Sequence, residues 1–220
     1  MRSEFDLNHI NRLSEILLPL PYETLNQLTG LEFGYGQFPK GPLVSQTQPP
    51  LLEEYENGEI IPIDGILGQY DPKLKEITLF QKGIDWASEK LKVNSNWLEQ
   101  VVKYHEWSHA ILHLGKDTKG NSCKLGVYNR VELHLLETLA NLWTYHALEH
   151  RIRYADVSSR DILKTWLDVF LVLSRHQPRE YRDWQKFKGT PIARIRNFTH
   201  ALRNNDVKGR YELFELLVLD

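Results

Sequence analysis

The sequence predicts an α+β fold that is mostly helical, with one small antiparallel sheet and a helical C-terminal subdomain. Three observations lead there. Apolar residues recur at spacings of three and four over most of the chain after residue 83. Alternation of period two between turn residues stands out at residues 66–70 and 76–80, joined through Asp71-Pro72 as a hairpin. At 220 residues and 41% hydrophobic, the chain can bury one substantial core, or a catalytic core with an appended subdomain. The expected division is residues 1–65, N-terminal helices and an irregular Gly/Pro-rich segment; 66–155, the core; and 156–220, the helical subdomain.

In chain order, the first 30 residues read as two short helices, the second over 22–29 with Pro21 at its start and Gly30 after its end. Residues 34–64 hold Gly34, Gly36, Pro39, Gly41, Pro42, Pro49 and Pro50 without any period and read as a long irregular segment. Because it leads into the hairpin, its end is expected near the functional cleft, as a lid, a plug or a connector. After the hairpin comes a helix over 83–92. The next is capped by Asn96 with Glu99 three residues on; Val101, Val102, His105, His109 and Leu112 recur at helical spacing, and Gly115 ends it. A further long helix spans about 131–149. Beyond it, Ser158 caps a run through 173, residues 178–188 end at Gly189, Thr190-Pro191 opens a helix to 203, and residues 211–219 are strongly apolar.

Composition excludes several classes. One cysteine in 220 residues rules out a disulfide framework and suits a reducing compartment. The opening is amphipathic and broken at Pro19, and no run approaches 18 apolar residues, so a cytoplasmic protein with no membrane contact is expected. The formal charge of −2 conceals a division: residues 1–150 carry 13 basic and 20 acidic residues, whereas 151–210 carry 14 and 6. Docking of the basic part on the acidic one, at Glu53, Glu54, Glu56 and Glu59, or a plain solvated face, is favoured over nucleic-acid binding, because the Arg and Lys residues are scattered over several helices.

The chemistry is concentrated in His105-Glu106-Trp107-Ser108-His109, an HExxH sequence on a helix. Histidines four apart stand one above the other on one face, near enough to share a metal ion, and the glutamate beside the first can hold a water on that metal. A zinc hydrolase needs a third ligand. On the following helix, most of whose circumference reads as buried, His134, Glu137, Asn141 and Tyr145 form a polar stripe. Glu137 lies far enough after His109 for the chain to turn and return antiparallel, and is the leading candidate. Glu132 and His113 come next. Glu132 is accounted for by a capping arrangement with Asn129, and His113 sits about 6 Å beyond His109 along the axis, which suits a supporting or packing role. Cys123, in a loop, reads as an inert thiol.

HExxH followed by Glu137-Thr138-Leu139-Ala140-Asn141, with GQYDPKLKEITLF upstream as the strand before the motif, resembles gluzincin-type zincins and, more narrowly, the ImmA/IrrE family of metallo-endopeptidases. The resemblance covers about 85 residues. It implies a zincin-like core, zinc (Zn2+) held by His105, His109 and Glu137, Glu106 as general base, Asn141 as a support for the ligands, and cleavage of a cytoplasmic protein, such as a regulator encoded nearby. The expected mechanism has Glu106 move the proton from water to the leaving amine, with an extended substrate along the edge of the strand over 75–80. Among possible oxyanion donors His134 is favoured over Tyr145, with Tyr128, His176 and His200 also open. The rival reading is a zinc-containing binding or regulatory module whose basic C-terminal helices contact a protein or nucleic-acid partner.

Overall fold

A computed structural model describes residues 21–34 and 36–204. The first expected helix and the apolar run 211–219 lie outside the described residues. Helix α1 (Pro21–Thr29) stops where Gly30 takes φ +70° and its N–H turns back to Asn26 O at 3.0 Å, a left-handed terminator that suits glycine.

The segment after it is more ordered than its composition suggests. It contains strand β1 (Lys40–Ser45) and a single helical turn, α2 (Leu52–Tyr55). Pro42 masks the strand in the sequence, since proline cannot donate to a ladder; β1 tolerates it as an edge strand. The hairpin forms as expected, with β2 (Gly68–Asp71) antiparallel to β3 (Glu76–Phe80). Because β1 adds parallel to β3, the sheet is mixed rather than antiparallel, in the order β1-β3-β2. This corrects a second expectation. With β3 central and both its edges paired, it offers no edge to a substrate. The outer side of β2 is also partly taken: Gly68 N–H donates to Ile63 O at 3.2 Å, and Gly68 O accepts from Gly65 N–H at 2.9 Å.

Helix α3 (Gln81–Leu91) leads into α4 (Ser95–Leu114), which carries the HExxH sequence. Its N-cap is Asn94, two residues before the expected Asn96; the Asn94 side chain accepts from the N–H groups of Asn96 (3.0 Å) and Trp97 (3.3 Å). A short α5 (Leu125–Tyr128) precedes α6 (Leu133–Tyr154). At the start of α6 the expected Asn129–Glu132 capping arrangement does not form: Glu132 makes no cap hydrogen bond, and its carboxylate turns to His134 Nδ1 at 3.3 Å. Helix α7 (Val157–His176) is capped by Asp156, which accepts from Ser159 N–H at 2.9 Å, in place of the expected Ser158. A 3-10 turn (Arg179–Asp183), α8 (Trp184–Phe187) and α9 (Ile192–Arg203) complete the described chain.

Helix α4 lies at the centre of one continuous apolar core and is buried on nearly every side. Val101, Val102, Ala110, Ile111 and Leu112 have no exposed surface. Trp107 packs against Tyr22 and Phe33, at 5.4 and 5.8 Å between ring centroids, which locks α4 to the N-terminal elements. From α6, Leu135, Leu142 and Trp143 are fully buried; α7 contributes Leu163, Phe170 and Leu173. Each such side chain contributes about 1.5–3 kcal/mol, so polar residues placed among them need a compensating reason.

The basic C-terminal helices meet the rest of the molecule through carbonyl groups. Arg196 donates to Leu28 O and Gln27 O at the end of α1, and Arg203 to Gly115 O at the end of α4, positions where a cation answers unpaired carbonyls and the negative end of the helix dipole. The acidic segment meets α7 by backbone, through Ile61 N–H to His176 O at 2.7 Å. Among the described residues, no helix is long and apolar enough to cross a membrane.

Candidate metal centre

Three side chains that a purely apolar core would exclude come together where α4 crosses α6. His105 Nε2 lies 3.1 Å from Glu137 Oε2, His109 Nε2 lies 3.1 Å from Glu137 Oε1, and the two Nε2 atoms are 3.1 Å apart. All three residues are buried, and they form the group of potential metal ligands found among the described residues. A tetrahedral ion with ligand bonds of about 2.0–2.1 Å separates its ligand atoms by about 3.3–3.4 Å, so the observed triangle is nearly the required size.

The hydrogen bonds behind the ligands decide which atoms face inward. Asn141 Nδ2 donates to Gln177 Oε1 (3.1 Å) and Tyr181 O (3.3 Å), which leaves Asn141 Oδ1 as the acceptor facing His105 Nδ1 at 3.1 Å. His105 therefore carries its proton on Nδ1 and turns a lone pair inward from Nε2. The Nδ1 of His109 faces the Tyr128 hydroxyl at 3.3 Å, a contact that holds the second ring whichever partner donates. With His105 Nε2 an acceptor 3.1 Å from Glu137 Oε2, the three groups repel one another unless a proton or a cation lies between them. The residues present fit a divalent metal.

Electrostatics agree. Burial alone would raise the Glu137 carboxyl, but His109 and His105 beside it hold it well below the usual carboxylate range. Burial lowers His105; for His109, burial is outweighed by Glu137 and Asp64, which raise it. Glu106 is fully buried and neither carboxylate oxygen has a hydrogen-bond partner. Burial first, then Asp64 and Glu137, push its carboxyl well above normal. These directions describe the metal-free site.

Glu106 is fitted against strand β2 at one point. A Cβ on Gly68 would lie 2.7 Å from Glu106 Oε1 and 2.8 Å from Val102 Cγ1, so only glycine allows the hairpin to approach the motif this closely.

The remaining candidates separate clearly. His113 stays out of the ligand group; its Nδ1 meets the Tyr70 hydroxyl at 2.8 Å and its ring leans on Tyr128, the supporting role expected of it. Burial, then Lys75 and Arg203, lower it to about 4. Cys123 is buried with its Sγ near Lys124 O and Arg203 O, away from the ligands. Tyr145 is turned aside, donating to Glu149 at 2.6 Å, and His176 faces Glu59 O at 3.2 Å. His134 keeps a buried Nε2 without a partner.

Sequence reasoning missed Asp64. It stands beside Gly68 through an isolated backbone bridge, and burial followed by the charge of Glu137 raises its carboxyl to about 6, offset by His109 and the Gly65 amide. No spacing relates it to the motif; the only signal was its place just before the hairpin. Comparison with protein-family models, curated proteins and solved structures finds no match to the chain.

Proposed function

We propose that this protein is a zinc-dependent endopeptidase that hydrolyses peptide bonds of a protein substrate in a reducing, cytoplasmic compartment, of the gluzincin type that the ImmA/IrrE resemblance implies. The observation that carries this reading is Glu106. A site whose metal only holds the fold together has no use for a carboxylate buried beside the ligands with both oxygens unsatisfied, an arrangement that costs free energy unless the group has a working partner. A general base awaiting a water and a substrate is placed in this way.

His105, His109 and Glu137 would hold the metal, leaving one position open. When bound, zinc supplies Lewis acidity, making a water acidic enough to attack near neutral pH and polarising the scissile carbonyl. The chain's own groups do the rest. Glu106 accepts the proton from the attacking water on a carboxylate oxygen and delivers it to the nitrogen of the leaving amine. Asn141 and Tyr128 fix the two imidazole rings, and Gly68 gives Glu106 its space.

The test uses the full chain loaded with zinc, an unstructured protein such as casein as substrate, and mass spectrometry of the products. Cleavage that stops with chelator, returns with zinc and is absent from Glu106→Gln supports the assignment. A Glu106→Gln protein that binds zinc and cleaves as fast as the wild type would overturn Glu106 as the general base, and cleavage unaffected by chelator would return the metal to a structural role.

A further inference from the structure

Asp64, whose carboxyl feels the charges of Glu137 and His109, lines a cavity of about 210 Å³. Leu51, Ile60, Pro62, Leu133 and Pro178 give it an apolar wall. Three of these are large apolar side chains left in solvent: Leu133 is 51% exposed, Ile60 45% and Leu51 36%. They come from three separate elements yet meet at one opening, whereas scattered exposed apolar residues are ordinary.

Three connections tie the cavity to the metal centre. Leu133 precedes Glu137 by four residues on α6, so the two share a helix face one turn apart. Tyr181 lines the cavity, and its carbonyl accepts from the same Asn141 amide that braces His105. Asp64 lines it as well and pairs with Gly68, against which Glu106 rests. The cavity is tied to the metal centre through Leu133, Tyr181 and Asp64 rather than through the ligands themselves.

We propose that this cavity is the specificity subsite, taking one medium or large apolar side chain of the peptide, such as Leu, Ile, Met or Phe, beside the bond that is cut. The inference rests on the hydrolase reading for the identity of the occupant. Size argues for a single side chain, since sites for drug-sized ligands run to about 300–1,000 Å³. The apolar wall selects against charge, and Asp64 in the lining repels acidic residues in particular. Leu133 and Ile60 are the specificity-determining positions, because each presents a half-exposed side chain to the opening and contributes little to the core.

Methyl-labelled protein titrated with N-acetyl-leucinamide, and in parallel with N-acetyl-glycinamide and N-acetyl-aspartamide, reads the cavity without reference to catalysis. Saturable shifts of the Ile60, Leu51 and Leu133 methyl resonances with the leucine compound only, in both metal-free and zinc-loaded protein, are expected. Leu133→Trp, at a position exposed enough to accept the larger ring, should abolish them. Cleavage of a peptide library should favour large apolar residues at one position flanking the cut. Leu133→Trp should lower kcat/KM for those peptides by about tenfold or more and leave peptides with Gly or Ala there within about threefold. Absence of the shifts, or a cleavage preference untouched by Leu133→Trp, overturns the assignment. Shifts in a protein that cleaves nothing would instead sink the hydrolase reading and leave the subsite standing.

Discussion

The candidate site has two walls of opposite construction. The metal wall is made by α4 and α6, whose side chains here are almost wholly buried, and both ligand histidines have a partner behind the ring. The second wall, which lines the neighbouring cavity, is made by residues 51–64, the first residue of α6 and the turn after α7, with apolar side chains half in solvent and one carboxylate, Asp64. A metal needs three atoms held to within a few tenths of an ångström, which packed helices supply. On the proposed hydrolase reading a substrate would have to enter, and a less regular, half-exposed segment suits that. Rigidity and exposure are thus divided between two kinds of structure that meet where the charge of Asp64 interacts with those of Glu137 and Glu106.

The strongest way to break the comparison is through the metal wall. His105→Ala, His109→Ala or Glu137→Ala should take bound zinc from about one ion per chain to essentially none, measured by elemental analysis after dialysis. Full occupancy in Glu137→Ala would place the third ligand elsewhere. Glu106→Gln, on the same wall but outside the ligand set, should keep the metal and lose about 10²–10⁴-fold in hydrolysis. Equal loss of metal and activity in that variant would mean Glu106 holds the site together instead of working in it.

Smaller effects follow from the braces behind the ligands. Asn141→Leu removes the acceptor for His105 Nδ1, and Tyr128→Phe removes the hydroxyl facing His109. Each should weaken zinc binding by about 10–100-fold, read by competition with a chelating dye, with the helical circular dichroism unchanged. Unaltered affinity in both would show that packing alone orients the rings.

What the sequence revealed follows the same division. His105, His109 and Glu137 were readable because ligands on helices obey a fixed spacing and stand out against apolar neighbours. Gly30 and Gly115 marked helix ends because backbone geometry restricts what can stand there. The other wall obeys no period. Strand β1 was hidden by Gly41 and Pro42, and its parallel pairing to β3 depends on a contact 36 residues away in sequence between Lys40 and Glu76. Asp64 reaches the site only through that tertiary arrangement, and the substrate edge was misplaced because nothing local shows that β3 would be covered.

Asp64 also gives the finest test of the contrast, in the metal-free protein. Its carboxyl is raised from an ordinary 3.8 to about 6, by burial and then by Glu137. A carboxyl raised by folding adds stability in full below the unfolded value and loses it as pH climbs through the folded value. Between about pH 4 and pH 6 the chelator-treated protein should therefore lose stability from this group, by about 1–3 kcal/mol at about 1.4 kcal/mol per unit with allowance for its partial exposure. Asp64→Asn cannot ionise and should escape that loss, so in chelator at pH 7 the variant should outlast the wild type in urea, while at pH 4 the two should agree closely. Zinc should narrow the gap at pH 7, since a cation between the ligands offsets the repulsion from Glu137. Parallel urea curves for the two proteins from pH 4 to pH 7 would show that Asp64 is solvated and lies outside the field of the ligands, and the two walls would then share no electrostatic boundary at this carboxylate.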